Sequence, residues 1–160
     1  MRYVASGVVG VSLLLASTSL VFASCRTDDP DGSKTAAARA TADQTCSSMG
    51  MGCDSGNHGA YVSCVAQVAN DLAIAGTLPV TCKGAVKKCA AKSTCGKPGF
   101  VNCCLTNPKG TATCKLRKDA ASCAARNGTV SACTTCCDAC PAPGSGPSCP
   151  APTTTTTTMP

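Results

Sequence analysis

Four closely spaced cysteines near the end of the chain are the residues whose spacing could do chemistry. Cys133, Cys136, Cys137 and Cys140 form two overlapping CxxC units. Two thiolates separated by two residues in a turn converge on one point, so this segment could chelate zinc or copper. The same spacing supports thiol–disulfide exchange in oxidoreductases. Because a cysteine-dense chain produces CxxC pairs readily, we predict structural disulfides here, with metal binding or thiol exchange as the alternatives.

His58 is the only histidine of the chain and the one side chain suited to proton transfer near neutral pH. Asp54, Ser63 and Asp71 lie near it in sequence. A histidine at the start of a helix more commonly makes a capping contact, and we favour that interpretation. Glutamate is missing and the eight aspartates are scattered, which disfavours chemistry by paired carboxylates. No phosphate-binding or dinucleotide motif occurs. We therefore predict no catalytic residue and no cofactor, and keep an enzyme as the alternative.

The first 23 residues have the composition of a secretory signal peptide. A charged start, Met1-Arg2, precedes an apolar segment over 4–22, and Ala23-Ser24 supplies small residues for cleavage. We predict a secreted or cell-surface protein without a transmembrane span after signal removal. A retained membrane anchor is one alternative. A lipoprotein acylated at Cys25 is another, although it would leave an odd number of the 16 cysteines for pairing.

Cysteine makes up a tenth of this predicted exported chain, which indicates a disulfide framework. Tyr61 and Phe100 are the only aromatic residues after position 23 and tryptophan is absent, so a small core needs covalent support. We predict a polar N-terminal segment over 24–45, a disulfide-rich domain over 46–140 and a disordered Pro/Thr-rich tail over 141–160. Spacing alone does not give the connectivity. The domain's predicted disulfide cysteines are Cys46, Cys53, Cys64, Cys82, Cys89, Cys95, Cys103, Cys104, Cys114, Cys123, Cys133, Cys136, Cys137 and Cys140.

Helical patterns occupy the first half of the chain. Ser33 can cap a short helix through 36–40, which has no large apolar face and would dock only through Cys46 or not at all. A longer helix follows, in which Tyr61, Val65, Val68 and Leu72 repeat every three to four residues.

Asn57 is placed to cap this longer helix and Gly76 to end it. A second helix is predicted to start at Thr77 or Pro79 and to carry Cys82, Val86 and Cys89 on one face. The two helices would form a hairpin whose facing sides hold Cys64, Cys82 and Cys89.

Strand patterns follow the second helix. Residues 100–106 and 111–116 are predicted strands joined by a type I turn at Asn107-Pro108-Lys109-Gly110. The adjacent Cys103 and Cys104 point to opposite sheet faces and should bind different partners. After Asp119 we predict a cysteine-stapled irregular segment with a turn at Asn127-Gly128. The predicted fold class is small disulfide-rich α+β: a helical hairpin, a short β-hairpin and this irregular segment.

Charge is distributed unevenly along the chain. Residues 25–75 contain three basic and six acidic side chains, whereas residues 76–118 contain nine basic side chains and no acid. Such a run attracts an acidic surface polymer or an anionic lipid, and a solvated positive face is the alternative. Specific nucleic-acid binding is disfavoured because Phe100 is the only aromatic residue in the run. The candidate ligand-binding residues of this basic face are Lys83, Lys87, Lys88, Lys92 and Lys97.

Two motifs carry a resemblance to other proteins. Residues 57–66 read NHGAYVSCVA and residues 93–104 read STCGKPGFVNCC. In these motifs, and over roughly Cys46 to Cys140, the chain resembles a group of exported cysteine-rich proteins of environmental bacteria. The resemblance implies export and a disulfide-rich fold, and it implies no activity and no functional residue.

Overall fold

The structure, a computed structural model, describes residues 24–140 and Cys149. The predicted signal peptide over 1–23 and, apart from Cys149, the predicted tail over 141–160 lie outside the described residues. The chain forms a disulfide-rich α+β fold, as predicted. Its elements are α1 (Cys25–Asp28), α2 (Ser33–Ser48), α3 (His58–Ile74), α4 (Lys83–Ala91), β1 (Val101–Thr106), β2 (Ala112–Arg117), α5 (Ala120–Ala124) and β3 (Thr129–Ser131), with 3-10 turns at Cys53–Ser55 and Val80–Cys82.

Helix α3 has the ends that the sequence predicts. The Asn57 side chain accepts a hydrogen bond from the Ala60 amide at 3.0 Å, which satisfies a donor that the first turn leaves free. Gly76 follows the helix with φ 74°, a left-handed conformation that glycine adopts without a steric cost. Tyr61, Val65 and Val68 are buried, so the periodic stripe is the core-facing side of α3.

The second helix of the hairpin begins later than predicted. Residues 77–79 cross from α3 to α4, and the extended ψ of 135° at Pro79 stops a helix from starting there. Leu78, which is 1% exposed, is part of the hydrophobic core and anchors this crossing there. A 3-10 turn at Val80–Cys82 then leads into α4 at Lys83.

Helix α2 is longer than the predicted 36–40, and docking through Cys46 alone was a wrong prediction. Ala38, Ala42 and Cys46 recur every four residues, and all three are buried against the other helices. Small side chains at this spacing let two helices approach closely, so a stripe without large apolar residues still packs. The predicted cap at Ser33 is also wrong, because Gly32 is the N-cap residue and Ser33 starts the helix.

An aspartate satisfies the first amides of α2 instead. The Asp29 carboxylate accepts hydrogen bonds from the Lys34 and Thr35 amides and from the Thr35 hydroxyl. The Thr35 hydroxyl and these amides lower the pKa of Asp29 below its ordinary value, because they bind the charged form. A negative charge at this end also complements the helix dipole.

A three-stranded antiparallel sheet forms the second half, in the order β2-β1-β3. The predicted turn is confirmed, since the Gly110 amide donates to the Asn107 carbonyl at 2.9 Å. The segment after Asp119 is more regular than predicted: α5 starts at a reciprocal cap between Asp119 and Ser122, and β3 pairs with β1. Elements of three to five residues are too short to show a hydrophobic period in the sequence. Their presence is therefore evident only from the folded structure.

All 16 cysteines form disulfides. Cys103 and Cys104 bind different partners, as predicted from their opposite directions on β1. Cys64, Cys82 and Cys89 are buried as predicted, yet none of them bridges α3 to α4. The pairs are Cys25–Cys82, Cys46–Cys64, Cys53–Cys95, Cys89–Cys137, Cys103–Cys123, Cys104–Cys140, Cys114–Cys136 and Cys133–Cys149.

Candidate functional site: the lysine face of helix α4

The CxxCCxxC segment links different parts of the fold. Its four cysteines bind four separate partners, and none bonds to another member of the segment. No cysteine is free among residues 24–140 and Cys149. Thiolates are the species that bind metal or attack a disulfide, and the oxidised segment contains none.

Polar contacts hold the same segment against the end of α4. The Thr135 hydroxyl donates to the Cys89 carbonyl at 2.9 Å, and the Cys136 amide donates to the Lys92 carbonyl at 2.9 Å. Both acceptors lie at the C-terminal end of α4, so these bonds join the segment to that end of the helix. The Arg39 guanidinium binds the Asp138 carboxylate with both nitrogens and so ties α2 to the segment. The segment therefore fixes the position of α4.

His58 makes a structural contact. Its Nδ1 lies 2.7 Å from the Cys95 carbonyl oxygen, so this nitrogen carries the proton and donates it. Within the described part of the chain, no hydrogen bond joins His58 to Asp54, Ser63 or Asp71. These four residues do not form a hydrogen-bonded proton-transfer group.

Two further acidic groups also serve the fold. The buried Tyr61 hydroxyl donates to Asp43 at 2.7 Å. Burial, followed by the bond to this carboxylate, raises the pKa of Tyr61.

Three potential metal ligands lie close together at the N-terminal end of the fold. Asp29, Cys25 and Cys82 have ligand atoms within 4.8 Å of one another. The two sulfurs are bonded together and the carboxylate already accepts three hydrogen bonds, so the group is not an open ligand set.

The structure places three of the five predicted basic residues, Lys83, Lys87 and Lys88, in α4 and a fourth, Lys92, directly after its last residue. Val86, Cys89 and Ala90 are buried, which turns the lysines of α4 outward. Lys87, Lys88 and Lys92 are exposed and Lys83 is half-buried. At about 1.5 Å per residue, the three lysines of α4 extend over roughly 8 Å of helix axis, and Lys92 follows the end of the helix. We call Lys83, Lys87, Lys88 and Lys92 the lysine face.

In the part of the chain that the structure describes, no carboxylate lies within 4.0 Å of an ammonium group of the lysine face. Among the described residues, the one ion pair within 4.0 Å is Arg39–Asp138, and it lies outside this face. The nearest acid in the sequence, Asp71, accepts a hydrogen bond from the Gln67 amide. The three ammonium groups of α4 and the one of Lys92 after it therefore keep their charge available to a ligand.

The remaining basic residues are distributed elsewhere. Lys97 lies in the loop after α4, and its Nζ is 5.9 Å from the centroid of the Phe100 ring, within the range of a cation–π contact. Lys109 is at the turn of the β-hairpin, and Lys115 is exposed on β2. The basic run that is continuous in sequence is thus divided between α4 and the sheet.

Sequence reasoning missed two exposed apolar residues beside the lysine face. Ile74, the last residue of α3, is 85% exposed, and Val80, just before α4, is 66% exposed. Both line a shallow groove together with Asp71 and Lys83. Ile74 falls outside the periodic apolar stripe of α3. Its position in the helical period could therefore have indicated that its side chain is exposed.

Comparisons with known proteins give no relative from which to transfer a role. A scan against protein-family models, a search of curated proteins and a search of solved structures each found no match. Across the described residues, the helices are all too short or too polar to traverse a bilayer.

Proposed function

We propose that this protein is an exported, disulfide-stabilised binding module whose lysine face contacts an anionic surface, either an acidic polymer or an anionic lipid. One observation carries the proposal: among the residues that the structure describes, Lys83, Lys87 and Lys88 on α4 and Lys92 directly after it have no carboxylate within 4.0 Å. The burial of Val86 and the disulfide from Cys89 to Cys137 hold this helix in place. A ligand therefore meets positive charges that are already positioned, which lowers the entropy cost of binding.

The expected affinity of this face is low. A lysine near an anionic surface contributes about 1 kcal/mol, so four of them supply on the order of 4 kcal/mol. That free energy corresponds to a dissociation constant of about 1 mM. Binding through these charges alone would depend strongly on salt and would need several copies or an additional contact to persist.

The proposal is tested by reversing two charges on α4 and comparing the effect with the reversal of two charges elsewhere in the basic run. We expect the double variant Lys87→Glu, Lys88→Glu to elute from an immobilised sulfated polysaccharide at clearly lower salt than wild type. The matched control is Lys109→Glu, Lys115→Glu, which changes net charge by the same amount on the β-hairpin. Intact mass under non-reducing conditions verifies eight disulfides in each protein.

The comparison of the two double variants decides the outcome. A larger loss of retention for the α4 variant supports a binding face on that helix. Equal losses would mean that only net charge matters, and the proposal would be wrong. Retention of wild-type protein that does not respond to salt would also contradict it, because screening must weaken contacts between exposed charges.

Thiol exchange or metal binding by Cys133, Cys136, Cys137 and Cys140 is the alternative function. It requires free or readily reduced thiols in the natively exported protein. Intact mass with and without alkylation, before and after reduction, counts these thiols, and elemental analysis detects zinc or copper. Eight disulfides without metal would leave the binding module as the proposal.

A further inference from the structure

Two exposed large apolar residues, Ile74 and Val80, lie where α3 connects to α4, at the tip of the hairpin over residues 74–80. Ile74 is 85% exposed and Val80 is 66% exposed, although each side chain is large and aliphatic. No charged residue occurs between Asp71 and Lys83. An exposed apolar group flanked by charge commonly marks an interaction site.

Cations lie immediately beside this tip. Lys83 lines the same groove as Ile74 and Val80, and Lys87 is one helical turn further along α4. The chain therefore presents aliphatic side chains at its end and ammonium groups just behind them. Peripheral proteins at a membrane interface use this order, with apolar groups among the acyl chains and lysines at anionic headgroups.

We infer that the tip inserts Ile74 and Val80 into the interface of an anionic lipid bilayer while Lys83 and Lys87 contact the headgroups. The inference rests on the proposed function and names its ligand. It also supplies the additional contact that the low affinity of the lysines requires. Transfer of one aliphatic side chain into the acyl region strengthens binding by roughly tenfold or more.

Size and charge favour a bilayer over a protein partner. A stable protein interface covers roughly 800 Å² on each side, far more than two aliphatic side chains provide. A second copy of the chain would bring its own Lys83 and Lys87 against the first pair. An acidic polysaccharide would bind the lysines and leave Ile74 and Val80 in water.

Two carboxylates lie near the tip and already have hydrogen-bond donors. Asp71 accepts from the Gln67 amide at 3.0 Å, and Asp28 accepts from the Thr81 hydroxyl. The lysines of α4 have no such partners among the described residues. Both donors are neutral, so the two carboxylates keep their negative charges, but the four lysines outnumber them and the net charge near the tip is positive.

Vesicle binding by the full oxidised protein tests the inference. The probes are vesicles of phosphatidylcholine with about a third phosphatidylglycerol, and vesicles of pure phosphatidylcholine. We expect Ile74→Ser, Val80→Ser to weaken sedimentation with the anionic vesicles by at least about tenfold. Val130→Ser is the matched control, because Val130 is an exposed aliphatic residue on β3, and it should bind like wild type.

A fluorescent reporter checks insertion directly. The chain has no tryptophan, so Val80→Trp introduces a single indole. We expect its emission to shift to shorter wavelength with anionic vesicles and to be quenched by brominated acyl chains. Val130→Trp should show neither change. Equal behaviour of the two reporters would contradict insertion at the tip.

The two proposals fail in distinguishable ways. If wild-type protein binds the sulfated polysaccharide through α4 but not the anionic vesicles, the lipid inference is wrong and the binding face stands. If Ile74→Ser, Val80→Ser binds these vesicles like wild type, insertion is wrong. If wild-type protein binds neither material, both proposals are wrong.

Discussion

Replacement of Gly96 by alanine should destabilise the fold through a backbone collision. Gly96 has φ 68°, and a Cβ built there would lie 2.6 Å from the Asn57 carbonyl carbon and 2.7 Å from the His58 Cα. These atoms belong to the backbone at the start of α3. Backbone cannot rotate away as a flexible side chain can, so the loop or the helix must move.

Both sides of this contact are fixed. The Gly96 amide donates to the Cys53 carbonyl at 2.7 Å, and Cys53 is bonded to Cys95. The His58 ring also binds the Cys95 carbonyl. Left-handed strain costs about 1–2 kcal/mol for alanine, and overpacking adds about 1–3 kcal/mol. We expect Gly96→Ala to lower the free energy of unfolding by about 3 kcal/mol.

Gly110→Ala separates the two contributions. Gly110 has φ 78° in the turn of the β-hairpin, and a Cβ there meets no atom within 4 Å. This variant therefore carries only the left-handed strain and should cost about 1 kcal/mol. Guanidinium unfolding, followed by circular dichroism with the disulfides intact, measures both values. A difference below about 0.5 kcal/mol between the two variants would refute the collision.

Three further predictions concern the core, a disulfide and pH. Val86→Ala should cost about 2 kcal/mol because its side chain is fully buried, whereas Val80→Ala should stay within about 0.5 kcal/mol; guanidinium unfolding compares them. The double variant Cys25→Ala, Cys82→Ala should lower stability by about 2–4 kcal/mol and speed proteolysis around α1, because this bridge closes a separation of 57 residues. The lowered pKa of Asp29 contributes stability that is present above its ordinary value of 3.8 and lost as pH falls below it, so unfolding of Asp29→Asn should vary less with pH in this range.

The functional proposals place binding on the outside of the helical hairpin. The cysteines that first suggested chemistry hold α4 and the sheet together, and the lysines they position are the groups left for a ligand. Such a role requires a rigid scaffold, because four separate charges bind together only if their spacing is maintained. Reduction should therefore abolish binding along with the fold, even though no cysteine contacts the ligand.

Local features of the fold could be predicted because they depend on neighbouring residues. The Asn57 cap, the stop at Gly76 and the turn at Asn107 each require only a few adjacent side chains and backbone groups. The opposite directions of Cys103 and Cys104 follow from the period of a strand. Part of the candidate site was predictable for the same reason, since the helical period places the lysines of α4 away from its buried face.

The remaining features depend on which segments meet in space. Docking of α2 through Ala38 and Ala42 requires a partner helix close enough to contact a methyl group, and composition does not show that partner. Strand β3 exists because three residues pair with β1. The exposure of Ile74 follows from where α3 ends relative to α4.

The sequence by itself determined the class of this protein, its longest helix, its β-hairpin and the sign of its exposed charge, because composition and short-range periods encode these properties. Only the tertiary structure decided the eight disulfide pairs, since bonding requires two sulfurs to meet and spacing does not say which ones do. It also divided one run of nine cations into a face on α4 and a separate set on the sheet. The division arises because the run continues from α4 through a loop into the β1–β2 hairpin.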